Sequence, residues 1–226
     1  MIPTTCQSSA RFVSPLLALL LALPLIAEEG EAVALFDGQS LSGWRGYNSE
    51  DAPEGWQVVD GTLHRSGGGG DIMTADEYDN FELTLDWKIS EAGNSGIMYR
   101  VSKGDSAPYI SGPEYQILDN DGHQDGGSDM TSAAALYGLY ATDTTAPNPV
   151  GEWNTTRIVV DGNHVEHWLN GKKVVDCELG SDDWNERVQN SKFATWEPFG
   201  KNAKGHIVLQ DHGDLVWFRN IKLRQL

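Results

Sequence analysis

The chain has 226 residues, 39% of them hydrophobic, with 33 Asp and Glu against 16 Lys and Arg and a formal net charge of −17. That balance excludes a nucleic-acid partner, which needs clustered Lys and Arg, and two cysteines exclude a disulfide-stapled miniprotein. The apolar fraction and eight Trp suffice for a core, and the length suits one large all-β domain.

Residues 1–27 read as a secretory signal. Arg11 is the positive n-region, no acid precedes Glu28, and the apolar run over 16–26 is broken only by Pro24. The run is short for a bilayer span, so a cleaved leader leaves a secreted or periplasmic protein without a membrane anchor. Cys6 precedes the run and does not fit a lipoprotein cysteine. Cys177 then stands alone, in a strand-like stretch that suits a buried, inert thiol.

The remainder, residues 32–226, reads as one β domain. Residues 56–59 and 62–65 flank Asp60-Gly61, a favoured two-residue hairpin turn. Over 81–89, Phe81, Leu83, Leu85, Trp87 and Ile89 alternate with Glu82, Thr84, Asp86 and Lys88, which predicts a half-buried strand. Strand-like runs follow at 95–101, 114–119, 134–140 and 153–160. Residues 165–169 and 172–178 flank a second hairpin signal, Asn170-Gly171. A helix is expected over 182–190 with Ser181 as N-cap, then strands at 206–211 and 216–223. Many short strands with Gly, Asp and Asn turns indicate a sandwich or barrel. Long loops at 46–55, 102–113, 120–132, 141–151 and 191–205 suit a binding site built on a rigid sheet.

Several motifs carry little. The four glycines 67–70 lack a following Lys-Ser or Lys-Thr and read as a turn, not a phosphate loop. Asn154-Thr155-Thr156 is a glycosylation sequon at a strand start. Asp119, Asn120, Asp121 and Asp125 form an acidic loop able to hold Ca²⁺, although the spacing is not that of an EF-hand, and His123 reads as a solvated loop residue. Trp44, Trp56, Trp153, Trp184 and Trp196 lie near turns, where they either stack on sugars or fill the core.

Three strands carry unusual polar groups. Alternation puts Gly96, Met98 and Arg100 on one face, Glu114 and Gln116 on one face, and His206, Val208, Gln210 and His212 on one face. If the strands are neighbours, Arg100, Glu114, Gln116, Gln210 and His212 line one concave surface suited to a polyhydroxylated ligand. A solvated outer face with incidental ion pairs fits the alternation equally well. The amides and imidazoles, in place of Lys and Glu, favour a site.

These segments sit within an ordered set. It runs through Phe36-Asp37-Gly38 with Leu41 and Trp44, Asn80-Phe81-Glu82-Leu83, Asn94-Ser95-Gly96-Ile97 with Tyr99-Arg100, and Gly112-Pro113-Glu114-Tyr115-Gln116. It continues through Glu152-Trp153-Asn154, His167-Trp168-Leu169-Asn170-Gly171, Gly205-His206-Ile207 with Leu209-Gln210-Asp211-His212-Gly213, and Phe218-Arg219-Asn220-Ile221. The set resembles the bacterial 3-keto-disaccharide hydrolase family over essentially the whole mature chain. The resemblance implies a concanavalin A-like jelly-roll sandwich of two curved antiparallel sheets, secretion, and action on glycosides already oxidised at C3 by a separate oxidoreductase.

A C3 ketone acidifies the C2–H bond. Loss of that proton, expulsion of the C1 substituent and hydration of the resulting unsaturated sugar need a base, an acid and donors near the C3 oxygen. On this reading Glu114 and His212 are the acid–base pair in either order. Arg100 and Gln210 position the sugar and stabilise the enolate oxygen, and Gln116 and His206 help hold it. A divalent metal near Asp119 or Asp211, calcium or another, is the alternative electrophile. Two other functions stay open: a conventional glycosidase, which needs two carboxylates flanking the bond, and a sugar-binding module without catalysis.

Overall fold

The computed structural model describes Met1 and residues 30–142 and 146–226. The expected signal segment, residues 1–27, lies outside the described residues apart from Met1. Among the described residues no helix is long and apolar enough to cross a membrane.

The strands run in chain order as β1 (Val33–Ala34), β2 (Trp44–Gly46), β3 (Trp56–Val59), β4 (Thr62–Arg65), β5 (Ile72–Thr74), β6 (Phe81–Ile89) and β7 (Asn94–Val101). There follow β8 (Glu114–Leu118), β9 (Asn154–Asp161), β10 (His164–Leu169), β11 (Lys172–Glu178), the helix α1 (Asp182–Gln189), β12 (His206–Leu209) and β13 (Val216–Gln225). They form two antiparallel sheets. The larger has the order β11-β10-β9-β6-β13-β4-β3, with β1 also paired to β13, and the smaller has the order β2-β5-β12-β7-β8. This is the expected jelly-roll sandwich.

Local chemistry explains most of it. Asp60 and Gly61 have φ of 50° and 73°, and Asn170 and Gly171 have 49° and 82°, so both hairpins close on the left-handed turns that suit twisted strands. On β6 the five apolar residues are buried and the four polar ones are only partly so, as period two requires. The Ser181 hydroxyl accepts from Trp184 N and caps α1, and Asp182 and Asp183 sit in its first turn.

The core lies between the sheets. Leu83, Leu85, Trp87, Ile158 and Phe218 of the larger sheet meet Ile72, Ile97, Tyr115, Ile207 and Leu209 of the smaller. A second, smaller cluster of Met73, Met98, Val101 and Val208, with Tyr47 packed on it, occupies the opposite face of the smaller sheet. The Tyr47 hydroxyl donates to Ser102 O at 3.1 Å, closing that end of the face under its loops.

The expected strand at 134–140 is absent. Ala134 has φ of 69° and Gly138 of 72°, and the segment makes only isolated bridges at Leu136, to Tyr115 and Tyr140. Left-handed residues turn the chain there and end the extended run. Cys177 is free and buried as expected, and burial holds its thiol up at about 12.

Candidate active site

The site is built on the outer face of the smaller sheet. Gly96 of β7 pairs with Gln116 of β8, and Met98 pairs with Glu114. On the other side of β7, Gln210 N donates to Gly96 O at 2.9 Å, continuing the register in which Val208 of β12 faces Met98. Gln116, Gly96 and Gln210 therefore form one row across three strands. The central member has no side chain. A Cβ on Gly96 would collide with Glu114 Oε1 and lie 2.8 Å from Glu114 Cδ. The Glu114 carboxyl thus lies over the Gly96 backbone, in the space that any other residue would fill.

A cleft of about 150 Å³ opens there. Glu114, Gln116, Gln210 and Asn94 reach it from the sheet. The loops add Tyr109, Asp125, Tyr137, Lys192, Phe193 and His212. Gln116 is 1% exposed, yet neither its Nε2 nor its Oε1 has a hydrogen-bond partner, and the same is true of Gln210 Oε1. Buried amides are nearly always satisfied, because an orphan costs about 1–3 kcal/mol. Orphans that face a cleft mark a place for a ligand's hydroxyl groups.

Burial pushes the Glu114 carboxyl up to about 8, against a Lys192 charge that lowers it and with an Asp71 charge that raises it. Glu114 is therefore held neutral at pH 7 and can donate a proton. Asp71 is itself raised to about 6, first by burial and then by the Asp211 charge, against a hydrogen bond from Asp211 N. Burial and the charges of Asp125 and Glu114 also raise the Tyr137 hydroxyl. The half-exposed His212 ring stands edge-on to His123 at 6.2 Å, with Nδ1 4.0 Å from Asp214 Oδ2.

The loop carrying Tyr137 is pinned from beneath. His167 Nδ1 lies 3.1 Å from Ala134 O, and its Nε2 lies 3.1 Å from the Tyr99 hydroxyl. The carbonyl can only accept, so Nδ1 carries the proton and Tyr99 donates to Nε2. Burial lowers His167 to about 4, so it stays neutral and keeps this arrangement at physiological pH. Ala134 N in turn donates to Gln116 O at 2.7 Å, tying the loop to β8 beside the cleft.

Two expected substrate-binding residues, Arg100 and His206, are elsewhere. Arg100 has φ of 54°, and the β7–β12 register slips between His206 and Val208. This bulge breaks alternation, so Val101 takes the outer-face position and Arg100 turns away. Arg100 Nη2 donates to Gly162 O at 2.6 Å and Asp79 O at 3.2 Å. His206 is buried, with Nδ1 2.9 Å from Thr74 O and 3.2 Å from Asp76 O, and it borders a different cleft with Arg45, Glu77 and Lys204.

Both metal candidates make hydrogen bonds within the protein. Asp119 Oδ2 accepts from Ala92 N at 2.7 Å, and its Oδ1 accepts from Asp121 N at 3.2 Å. Asp211 pairs with the buried Arg65 at 2.7 Å and accepts from Gly70 N and Gly213 N. The acidic loop is also divided: Asp119 and Asp121 line a wider cleft beside Glu91 and Glu152, while Asp125 faces the candidate site. His123 Nδ1 accepts from Asp125 N. Among the described residues, the group able to hold an ion is His164, Glu166 and Asp176, on the larger sheet, where Lys173 already bridges both carboxylates.

The tryptophans divide. Trp44, Trp56 and Trp184 are buried in the core. Trp153 lies under Arg219 on the outer face of the larger sheet. Trp196 packs at 5.5 Å against Tyr109 at the cleft. The sequon residue Asn154 is 2% exposed, and its Oδ1 accepts from Asn148 N and Asn170 Nδ2, so it is closed to glycosylation.

A two-sheet sandwich with a polar cleft on one sheet defines a protein of the concanavalin A-like class. An endo-β-1,3(4)-glucanase of family GH16 shares the fold at a TM-score of 0.52 and 13% identity, over 91% of this chain and 93% of that one. Much nearer is a candidate glycosyl hydrolase from Parabacteroides distasonis, with a TM-score of 0.80 and 36% identity over 86% of this chain and 94% of that one. A curated 3-keto-disaccharide hydrolase from Bacteroides thetaiotaomicron is 36% identical over 91% of this chain and 82% of its own length. Residues 31–224 match the model of the 3-keto-alpha-glucoside-1,2-lyase-like domain, and the chain belongs to that family. It is a glycoside-hydrolase-like, carbohydrate-active enzyme.

Proposed function

We propose that the enzyme cleaves glycosides whose C3 is a ketone, by proton abstraction at C2, elimination of the C1 substituent and hydration. The observation that carries this is Glu114, a carboxyl held protonated beside two amides with unfilled hydrogen bonds. Glu114 is the acid that protonates the leaving oxygen, and His212, at the solvent side, is the base that takes the C2 proton. Water then adds its hydroxyl at C1, His212 returns a proton to C2, and Glu114 takes the remaining proton from water. Both groups are reset, and one water is consumed. Gln116 and Gln210 bind the sugar hydroxyls. Residues 1–27 act as a secretory leader, which places the enzyme in the periplasm or outside the cell, downstream of an oxidoreductase acting at sugar C3.

One observation favours a second reading. Asp125 shares the cleft with Glu114, so two carboxyl groups are available for a conventional glycosidase. The test is incubation of the purified protein with a 3-keto-disaccharide and with its unoxidised parent, with and without a chelator. Release of product from the ketosugar alone, unaffected by chelator, is the expected result. Cleavage of the parent establishes the two-carboxylate reading instead. Failure to cleave either, with the parent sugar still bound, reduces the protein to a binding module.

Gln116 provides a separate check. Gln116→Met keeps the volume and removes both orphaned polar atoms. Thermal melting is expected to rise by a few degrees, in line with relief of about 1 kcal/mol or more. Titration with the parent disaccharide is expected to show affinity about 10- to 100-fold weaker, the loss of two hydrogen bonds.

A further inference from the structure

Abstraction of the C2 proton leaves a negative charge on the C3 oxygen, and a site selective for ketones must meet that charge where it develops. Arg100 does not, since it is turned away from the cleft, where its Nη2 donates to Gly162 O and Asp79 O. Among the described residues, Lys192 is the one Lys or Arg that lines the cleft. Its surroundings are unusual for a lysine in so acidic a protein. No carboxylate among the described residues lies within ion-pair distance of it. Its ammonium lies instead 4.4 Å from the Tyr137 ring centroid, 5.3 Å from Phe193 and 5.8 Å from Trp196. Aromatic faces hold a cation without occupying its N–H donors as a carboxylate would. The backbone beneath is fixed too: Phe193 is buried, and its N–H donates to Ser191 Oγ at 3.2 Å.

We infer that Lys192 is the group that makes the enzyme selective for ketosugars, its ammonium donating to the C3 oxygen as that oxygen becomes an enolate. This rests on the reaction proposed above. The C2–H bond breaks, its proton goes to His212, and the electron pair forms the C2=C3 bond while the carbonyl pair moves onto the C3 oxygen. That pair then returns, the C1–O bond breaks, and the leaving oxygen takes the Glu114 proton. No bond to Lys192 nitrogen forms at any point. An unoxidised sugar carries a hydroxyl at C3 that never becomes an anion, so Lys192 gives it only an ordinary hydrogen bond. The interaction is stronger in the transition state than in the ground state, which is the condition for acceleration.

The experiment compares the wild type with Lys192→Met and Lys192→Arg, side chains of similar length on an exposed turn. Three quantities are read: kcat/KM on a 3-keto-disaccharide, deuterium exchange at its C2 position, and equilibrium affinity for the unoxidised parent. Lys192→Met is expected to lose about 100- to 1,000-fold in kcat/KM, carried mainly by kcat, with a parallel loss of exchange. Affinity for the parent falls by no more than about 10-fold, the loss of one ordinary hydrogen bond, and Lys192→Arg recovers at least about a tenth of the wild-type rate. A Lys192→Met enzyme that turns over the ketosugar within about 3-fold of wild type overturns the role of Lys192 alone. Loss of parent affinity in the same proportion as turnover also overturns it, because Lys192 would then hold substrate without selecting the ketone. A wild type that leaves ketosugars untouched overturns the reaction itself, and the role of Lys192 with it.

Discussion

Glu114→Gln is expected to lower kcat/KM on a 3-keto-disaccharide by about 100- to 10,000-fold, the usual contribution of a general acid, while stabilising the fold at neutral pH. The two effects share one cause. The folded protein holds the Glu114 carboxyl at about 8 instead of 4.5, because burial penalises its anion. The sign of the linkage follows directly. Above pH 4.5 the unfolded chain ionises this group while the folded chain keeps it neutral, so the unfolded state gains and stability falls as pH rises, levelling off above about 8. At pH 7 the penalty is about 3 kcal/mol, and glutamine, which cannot ionise, escapes it. Chemical denaturation at pH 5 and pH 7.5 should show wild type and variant close together at the lower pH and separated at the higher. The pH–rate profile checks the catalytic half. Wild-type kcat/KM should fall as pH rises through about 8, where the acid loses its proton, and the residual activity of the glutamine variant should lack that limb. This conflict between stability and activity is expected wherever a carboxyl is kept in an unfavourable place for chemistry.

What was legible in the sequence was local. The alternation over Phe81–Ile89 and the Asp60-Gly61 and Asn170-Gly171 turns are written in neighbouring residues, and the structure forms them accordingly. The row that builds the site was half legible. Parity put Glu114 with Gln116, and Gln210 on the face of Val208, and the pairing of β7 with both β8 and β12 brings those faces together. Parity says nothing about distance, however. His206 shares a face with Gln210 but lies four residues along the strand, about 13 Å away, and so belongs to a different cleft. Arg100 failed for another reason: a bulge is fixed by how two strands mate, and no pattern within β7 announces it. Lys192, Tyr137 and Tyr109 lay beyond reach, and Asp125 stood out only as a calcium candidate, because loops carry no periodicity. Only the folded path of residues 102–113, 120–140 and 191–196 brings them over the sheet. Asp71 was equally hidden, since a carboxylate before a short strand looks solvated until its neighbours are known.

Gly96 gives the site its sharpest steric test. Its φ is not in the left-handed region, so alanine fits the backbone and suits a strand better than glycine does. The nearest obstacle is the Glu114 side chain, whose carboxyl occupies the place of the new methyl group. Gly96→Ala is therefore expected to fold with near wild-type stability and to displace Glu114, lowering kcat/KM by about 100-fold, the effect of a small misplacement of a reacting group. A double-mutant cycle isolates the cause. In a Glu114→Ala background the methyl group has nothing left to displace, so adding Gly96→Ala should cost less than about 3-fold further. If the two losses multiply, Gly96 acts through some route other than Glu114, and the carboxyl lying over the β7 backbone is not the arrangement that performs the reaction. If the second substitution is silent, the absence of a side chain at residue 96 is what places the acid.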